Sequence, residues 1–266
     1  MADSDAVLLD VSDGVATVTL NDPDRMNPVT GPISEGLEAR LDEIERRDGI
    51  RCVVLEGAGP AFSAGGDIQG MKERIESDTR LDESVDELDR GLGGTMAKLV
   101  DCTYPTVATV DGPAVGAGAN LAIACDVVLA SESASIGFVF RNVGLSVDGG
   151  TSYLLPRIVG VNKAKELVLT GEILGAEEAG DLGLFNHVYP DEAFEDEVAG
   201  MVERIATGPT VALSRAKSVV QHGLDKPLER ALADEAAAQG VVFDSDDHRE
   251  GVEAFLEDRD PEFEGR

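Results

Sequence analysis

Alternating and helical patterns of apolar residues follow one another through the first part of the chain. The segment "GVATVTL", residues 14–20, alternates apolar and polar positions as a half-buried strand does, and a second strand is predicted over residues 51–56. Between them, "ISEGLEARLDEIERRDG" has helical spacing and predicts a helix that closes at Gly49. Strands that alternate with helices are typical of α/β architecture, in which loops at one edge of the sheets carry the chemistry.

The same alternation continues to about Asp191, and only helical patterns follow. "TVATVDG" predicts a buried strand that leads into "PAVGAGANLAIACD", and "VVLAS" and "ASIGF" predict further strands. After Asp191, successive helices are predicted without intervening strands. We therefore predict two parts: residues 1–195 form the α/β core with the functional site, and residues 196–266 form a helical region for packing or oligomerisation.

Composition indicates a folded protein adapted to salt. The 266 residues are 42% hydrophobic, which suffices for one substantial core. Lys and Arg number 22 against 52 Asp and Glu, so the net charge is −30. Self-repulsion of this size destabilises a compact chain unless salt screens it, and in molar salt the Debye length falls to about 3 Å. We expect a halophilic source; an acidic mesophile protein is the alternative. A chain this acidic lacks the basic surface that binding to the phosphates of a nucleic acid requires.

The cysteines and the N-terminal segment exclude several classes of protein. Cys52, Cys102 and Cys125 are odd in number and far apart, which predicts core thiols and neither a disulfide framework nor a metal cluster. The start "MADSDAVLLD" lacks a signal-peptide pattern, and no apolar run approaches the roughly 18 residues of a membrane span. The expectation is a cytoplasmic protein with no metal and no membrane contact.

Two glycine-rich loops follow predicted strands. "AFSAGGDI" contains Gly65 and Gly66, and "GAGANLAIACD" places Gly116 and Ala117 at the start of an apolar helix whose first N–H groups lack internal partners. One N–H group from each loop could converge on one oxygen as an oxyanion hole. Each loop alone is a weak signal, since such glycines usually mark ordinary turns, but the pair is more specific.

Five segments carry a family resemblance over nearly the whole length of the chain: "AFSAGGDI", "DGPAVGAGANLAIACDVVLAS", "GLSVDGGTSYLLPRIVG", "LTGEILGAEEAGDLGLFNHV" and "EGVEAFLEDRDPEF". Together they resemble the crotonase superfamily, the enoyl-CoA hydratase/isomerase group. The resemblance implies a spiral of ββα units with a helical C-terminal trimerisation region, assembled as a homotrimer or as a hexamer of two trimers. It further implies an acyl-CoA substrate, with coenzyme A as part of the substrate and no other cofactor. By the same resemblance, the N–H groups of Gly66 and Ala117 hold the thioester oxygen.

The carboxylates depart from the hydratase pattern of the family. The positions of the two glutamates of family hydratases match Asn120 and Phe140 here, so ordinary water addition lacks both of its acids. Asp148 is the candidate replacement, because it matches the acid/base of members that resemble 1,2-epoxyphenylacetyl-CoA isomerase. In the family's 4-chlorobenzoyl-CoA dehalogenase the same position is a nucleophile. Dehalogenation is disfavoured, because its partner Trp and His are absent: the chain has no Trp and no His before His187.

Asp148 and Asn120 also have simpler interpretations. Asp148 precedes two glycines that open a predicted helix, so it could be a helix cap; apolar neighbours would raise its pKa and the helix start would lower it. Asn120 could hydrogen-bond substrate or water beside Asp148, or serve local structure. We predict an isomerase that moves one proton with Asp148. An enoyl-CoA hydratase and a non-catalytic CoA-ester-binding or scaffolding protein remain alternatives.

The resemblance assigns further residues to coenzyme A. It places the adenine against the backbone at Ala64, and it places the loop "DRMNPVT" near the pantetheine and phosphates, where Arg25 is the phosphate contact. Asp67, which also suits a helix cap, is assigned to the same surface. Phe263 is predicted to cover the ligand of a neighbouring subunit. Gly65 and Ile68, beside the oxyanion donor, complete the assignment. The acids of residues 73–87 lie where the family has an active-site cover.

Overall fold

The strands of the chain form two sheets. The computed structural model describes residues 6–77, 80, 82, 85 and 88–266; most of the acidic segment 78–87 therefore lies outside the described residues. The larger sheet has six strands in the order β1 (Val7–Ser12), β2 (Val15–Leu20), β3 (Cys52–Gly57), β4 (Thr106–Val110), β6 (Val127–Ser131) and β9 (His187–Tyr189). The smaller sheet has the order β5 (Pro113–Val115), β7 (Ser135–Gly137) and β8 (Ile173–Gly175).

Helices separate the strands and then follow them. The β1–β2 and β7–β8 pairs are antiparallel, and the other neighbouring pairs are parallel. The parallel pairs need crossover connections, which the intervening helices supply. The helices are α1 (Gly31–Ile44), α2 (Ile68–Ile75), α3 (Gly94–Val100), α4 (Ala117–Ala124), α5 (Thr151–Thr170), α6 (Ala176–Asp181), α7 (Phe194–Ala206), α8 (Thr210–Gly223), α9 (Leu228–Val242) and α10 (Asp246–Glu257). The α/β class predicted from the sequence is confirmed.

In helix α1, the apolar spacing of the sequence forms the buried face of the helix. The Thr30 side chain accepts a hydrogen bond from the Ile33 amide at the N-terminus, and a stripe of apolar residues buries one face of the helix. The helix ends at Ile44, five residues before the predicted closing glycine. Residues 45–49 are charged or glycine and offer no apolar side chain to the core, so this segment forms turns. The stripe consists of Ile33, Leu37, Leu41 and Ile44.

The last strand extends the large sheet, and the first C-terminal helix packs against that sheet. β9 pairs with β6, and α7 places Val202 and Ala206 against buried residues of β3, β4 and β6. Helix α7 therefore contributes to the packing of the sheet although it belongs to the helical end of the chain. The division at residues 195 and 196 remains a prediction.

The interior contains unreactive thiols. All three cysteines are buried and free, and burial raises the pKa of the Cys52 thiol to about 12 and that of Cys102 to about 11. Because the thiolate is the reactive form, these thiols are inert near neutral pH. In a search of the described ranges, none of the helices has the length and apolar character that crossing a membrane requires.

Candidate active site

The two glycine loops and Asp148 line one cavity. It has a volume of about 960 Å³, and its wall includes Gly66, Gly116, Ala117 and Asp148. These residues are far apart in sequence, and the fold brings them together because the loop after β3, the start of α4 and the turn before α5 meet at one place. Apolar side chains supply much of the remaining wall, which suits a ligand with an apolar part.

The first loop is held against the strand that precedes α4. Ser63 and Ala114 form a parallel β-bridge, with the Ser63 amide donating to the Pro113 carbonyl at 3.1 Å. Gly65 has φ of +89°, and a β-carbon on it would lie 2.4 Å from the Val115 carbonyl oxygen. Only glycine satisfies both conditions, because side chains disfavour this backbone angle and there is no room for one.

The same contact fixes the start of α4. Gly116 has φ of +56° and places Ala117 as the first residue of the helix. A β-carbon on Gly65 would lie 3.5 Å from the Ala117 nitrogen, so the two loops are in close contact at the level of the proposed oxyanion donors. On the opposite side, a β-carbon on Gly118 would meet Ser63 at 2.6 Å. Small residues therefore let the two main chains approach each other.

The main-chain amides of Gly66 and Ala117 remain available to a ligand. Ala117 is the first residue of α4, where an N–H group has no acceptor within the helix. Over the described part of the chain, neither amide donates a hydrogen bond to a protein acceptor. Both residues line the cavity, and their predicted role as paired donors to one thioester oxygen remains a prediction.

Asp148 is not a helix cap. The N-cap of α5 is Gly150, and within the described residues the Asp148 carboxylate receives no hydrogen bond. Its Oδ1 atom is fully buried. The pKa of Asp148 is raised from its ordinary value, and the cause is desolvation by burial. Of the two opposing influences on the pKa of Asp148 that the sequence left open, burial therefore prevails over the helix start, and a raised pKa suits a carboxyl group that transfers protons.

The raised pKa predicts that Asp148 destabilises the folded chain at neutral pH. The neutral Asp148 carboxyl group makes its full contribution to the free energy of unfolding below pH 3.8, its ordinary pKa. This contribution is lost as pH rises through the raised pKa of the folded chain. An asparagine side chain cannot ionise, so the D148N variant should be more stable than the native chain at neutral pH. The difference should shrink as pH falls towards 3.8, as measured by equilibrium urea unfolding of dilute protein in molar KCl. A difference that is the same at both pH values would contradict the prediction.

Asn120 lies beneath the cavity wall, and Phe140 forms part of it. The Asn120 side chain is fully buried, donates to the Asp148 carbonyl at 2.9 Å and accepts from the Thr151 hydroxyl at 2.7 Å. Both ends of its amide are thus used within the protein, which favours the local-structure interpretation over contact with substrate. Phe140 is apolar and lines the cavity at the second position that matches a hydratase glutamate.

The predicted coenzyme A residues divide into two groups. Ala64, Asp67 and Ile68 line the cavity, and the Ala64 amide is bound to the Met26 carbonyl at 2.7 Å. Gly65 lies behind the wall and supports it. Arg25 also lies outside the wall, where its guanidinium pairs with Asp67 at 2.6 Å. A phosphate group that binds Arg25 must therefore compete with Asp67 or share the guanidinium with it.

Phe263 lies away from this cavity within its own chain. It borders a smaller apolar pocket of about 420 Å³ beside α10, and its carbonyl accepts a hydrogen bond from Arg51 at 3.0 Å. Its predicted role over the ligand of another subunit remains a prediction.

Several residues of the site carried no recognisable signal in the sequence. Leu92, in a π-helical turn at Asp89–Gly93, approaches the turn that follows Asp148: a β-carbon on Gly149 would lie 3.1 Å from it. Thr151 bonds to Asn120 beneath the cavity. Glu35 also lines the cavity, as does Glu73, which the sequence had placed at the active-site cover; both carboxylates are exposed to solvent, so their surroundings differ from that of Asp148.

Comparison with known proteins identifies the family. The sequence profile described as enoyl-CoA hydratase/isomerase matches residues 10–266. The chain belongs to the enoyl-CoA hydratase/isomerase family. It is 39% identical to a Rhodobacter capsulatus protein named "Probable enoyl-CoA hydratase", over 97% of each chain. It is 37% identical to the 1,2-epoxyphenylacetyl-CoA isomerase of Escherichia coli, over 98% of each chain.

Solved structures of the family share the fold. The enoyl-CoA hydratase of Bacillus anthracis superimposes with a TM-score of 0.90 at 31% identity, and the match covers 98% of this chain and 100% of the other. The crotonase fold implied by the sequence resemblance is therefore confirmed. Relatives named as hydratases and as isomerases both occur, so membership of the enoyl-CoA hydratase/isomerase family alone does not specify the reaction.

Proposed function

We propose that this family member is an acyl-CoA isomerase that shifts a double bond, or isomerises a ring-type acyl group, with Asp148 as its single acid/base. The Asp148 carboxylate takes a proton from one carbon of the acyl chain, and the electron pair passes into a dienolate whose oxygen binds the amides of Gly66 and Ala117. Asp148 then returns the proton to another carbon. The reaction consumes no water and needs no group beyond the thioester and these residues.

The observation that carries this proposal is the pairing of one half-buried carboxylate with two available amides. Asp148 combines a raised pKa with a fully buried oxygen, while the two positions that match hydratase glutamates hold Asn120, with its amide already bonded, and an apolar Phe140. Water addition needs a group that activates water and usually a second that manages the other proton. Proton transfer between carbons needs one group.

The relatives support both candidate reactions. The similarity to the Escherichia coli 1,2-epoxyphenylacetyl-CoA isomerase favours isomerisation, including that of ring-type substrates. The slightly greater identity to the Rhodobacter capsulatus protein favours the hydratase alternative. Other acids of the cavity wall, such as the exposed Glu35 and Glu73, would then supply the missing acids.

A substrate panel distinguishes the two reactions. Purified protein in molar KCl is given 3-enoyl-CoA, crotonyl-CoA and aromatic CoA esters, and proton NMR follows double-bond position and water uptake. Isomerisation predicts a shift of the 3-enoyl double bond without uptake of water. Rapid hydration of crotonyl-CoA would refute the assignment. Tight binding of CoA esters without turnover of any of them would indicate the non-catalytic alternative.

We further propose that the chain forms a trimer, or a hexamer of two trimers, and works in high salt. Large apolar side chains on α8, α9 and α10 are exposed in the single chain, and a partner subunit would bury them. The net charge of −30 requires screening for such association. Light scattering in molar KCl should give three or six times the 27.9 kDa chain mass. The exposed residues include Val220, Leu224, Leu228, Phe243, Phe255 and Leu256.

A further inference from the structure

A buried hydrogen-bond network holds the turn that carries Asp148. The Asp148 carbonyl oxygen accepts from the Asn120 Nδ2 atom at 2.9 Å and from the Thr151 amide at 3.0 Å. The Thr151 hydroxyl lies 2.9 Å from the same oxygen and 2.7 Å from Asn120 Oδ1. The side chains of Asn120 and Thr151 are 0% and 1% exposed, so these bonds are made away from solvent.

The turn between Asp148 and α5 is built from two glycines that other residues could not replace without strain. Gly149 and Gly150 have φ of +51° and +83°, angles that side chains rarely adopt. A β-carbon on Gly149 would lie 2.9 Å from Asn120 Nδ2. The Asn120 amide therefore packs directly against the main chain of the turn and fixes the direction in which residue 148 leaves it.

The network binds the main chain of Asp148 and leaves its side chain without donors. A carboxylate that is oriented by hydrogen bonds to its own oxygens becomes a weaker base, because those bonds stabilise its charge. Hydrogen bonds to the main-chain carbonyl oxygen orient the residue without making its carboxylate a weaker base. The Asp148 Oδ1 atom is buried and has no hydrogen bond from any described residue, as this separation requires.

We propose that Asn120 and Thr151 are positioning residues for Asp148: they fix its main chain through the carbonyl oxygen and thereby aim a carboxylate that has no donor of its own. This inference rests on the proposed function of Asp148. An amide at residue 120 is needed because it donates to Asp148 and accepts from Thr151 at the same time, which an ionised glutamate could not do.

Substitution of the network residues tests the proposal. Asn120→Leu and Thr151→Val should each lower kcat for double-bond shift by about 10- to 100-fold, because a displaced catalytic group loses its alignment with the reacting carbon. KM should change by less than about threefold, since neither residue touches substrate. Thr151→Ser keeps the hydroxyl and should retain most of the native kcat. The pH at which kcat reaches half its maximum should fall in T151V, because the released carboxylate gains contact with water.

Thr106→Val is the matched control. Thr106 is buried to a similar degree, and its hydroxyl bonds to Asp126 at 2.9 Å, away from the cavity. T106V should lose stability comparably to T151V in urea unfolding and keep its kcat and pH profile. Equal kcat values for T151V and T151S, or a T106V variant with the same kinetic defect as T151V, would overturn the proposal.

One measurement does not depend on turnover. Carbon-13 NMR of the Asp148 carboxyl group, assigned by comparison with D148N, should show a lower titration midpoint in T151V than in the native chain. If the native chain shows no isomerase activity, the proposed function fails, and this titration still tests the network. An unchanged midpoint in T151V would contradict the positioning role even in an active enzyme.

Discussion

The Asp148→Asn variant is expected to lose turnover by about 10²- to 10⁴-fold, the usual contribution of a positioned acid or base. Asparagine has nearly the same shape as aspartate but cannot accept a proton from carbon, so the cavity should keep its form. Binding of a CoA ester, measured by calorimetry with a saturated acyl-CoA, should stay close to that of the native chain. The loss should therefore appear in kcat and not in affinity.

Asp111→Asn is the control for the Asp148 experiment. Asp111 is exposed beside Gly112 in the turn after β4, so its change from Asp to Asn should leave kcat unaltered. If D148N retains kcat within about threefold of the native value, Asp148 is not the acid/base of the reaction. Such a result would direct attention to Glu35 and Glu73, the exposed acids on the same cavity wall.

Local patterns predicted the strands and helices whose packing is strong, and they missed those at the edges. The predicted strands at 14–20 and 51–56 agree with β2 and β3 to within one residue, because their inward side chains are apolar. β1 was not predicted, since it is an edge strand with few buried positions. The signal for it was Asp13-Gly14, whose φ angles of +50° and +80° form the two-residue turn of the β1–β2 hairpin.

The backbone part of the site was predictable because glycine encodes it. Gly65 and Gly116 have positive φ angles at a close contact, and glycine at such positions is visible in the sequence. The properties of Asp148 were not visible. Its pKa depends on which apolar residues and which donors surround the carboxyl group, and those neighbours come from distant segments.

The supporting residues of the site were invisible for a similar reason. Thr151 stands in the first turn of a predicted helix, where threonine is common, and nothing local shows that it contacts Asn120 thirty-one positions earlier. Leu92 lies in a π-helical turn that no apolar period predicts. Arg25 was assigned to phosphate by resemblance, and its ion pair with Asp67 emerges only from the folded loop.

The difference between main-chain and side-chain groups explains how one fold can support several reactions. The amides of Gly66 and Ala117 belong to the main chain, so substitution of neighbouring side chains would leave the proposed oxyanion hole in place. The carboxyl groups are side chains, and their positions can change from one relative to another. Relatives named as hydratase and isomerase accordingly match this chain at 39% and 37% identity. We therefore expect the proposed oxyanion hole to be the part whose loss no other residue compensates.

Ala117→Pro should test that statement by removing one oxyanion donor. Proline lacks the N–H group and is tolerated at the first position of a helix, where the amide has no partner in the helix. Loss of one such donor costs about 3 kcal/mol in the transition state, or roughly 10²- to 10³-fold in kcat. Far-ultraviolet circular dichroism and urea unfolding should remain close to those of the native chain, because α4 starts at the same residue.

Ala117→Gly is the matched control, because it alters the side chain and keeps the N–H group. We expect A117G to retain kcat within about tenfold, with any loss reflecting the greater freedom of glycine at the start of α4. Equal defects in A117P and A117G would mean that packing at residue 117 matters and the amide does not. A117P with nearly native kcat would exclude Ala117 as a donor to the thioester oxygen. A large difference between the two variants places the thioester oxygen at the Ala117 nitrogen, where proline removes the donor hydrogen and puts a ring carbon in its place.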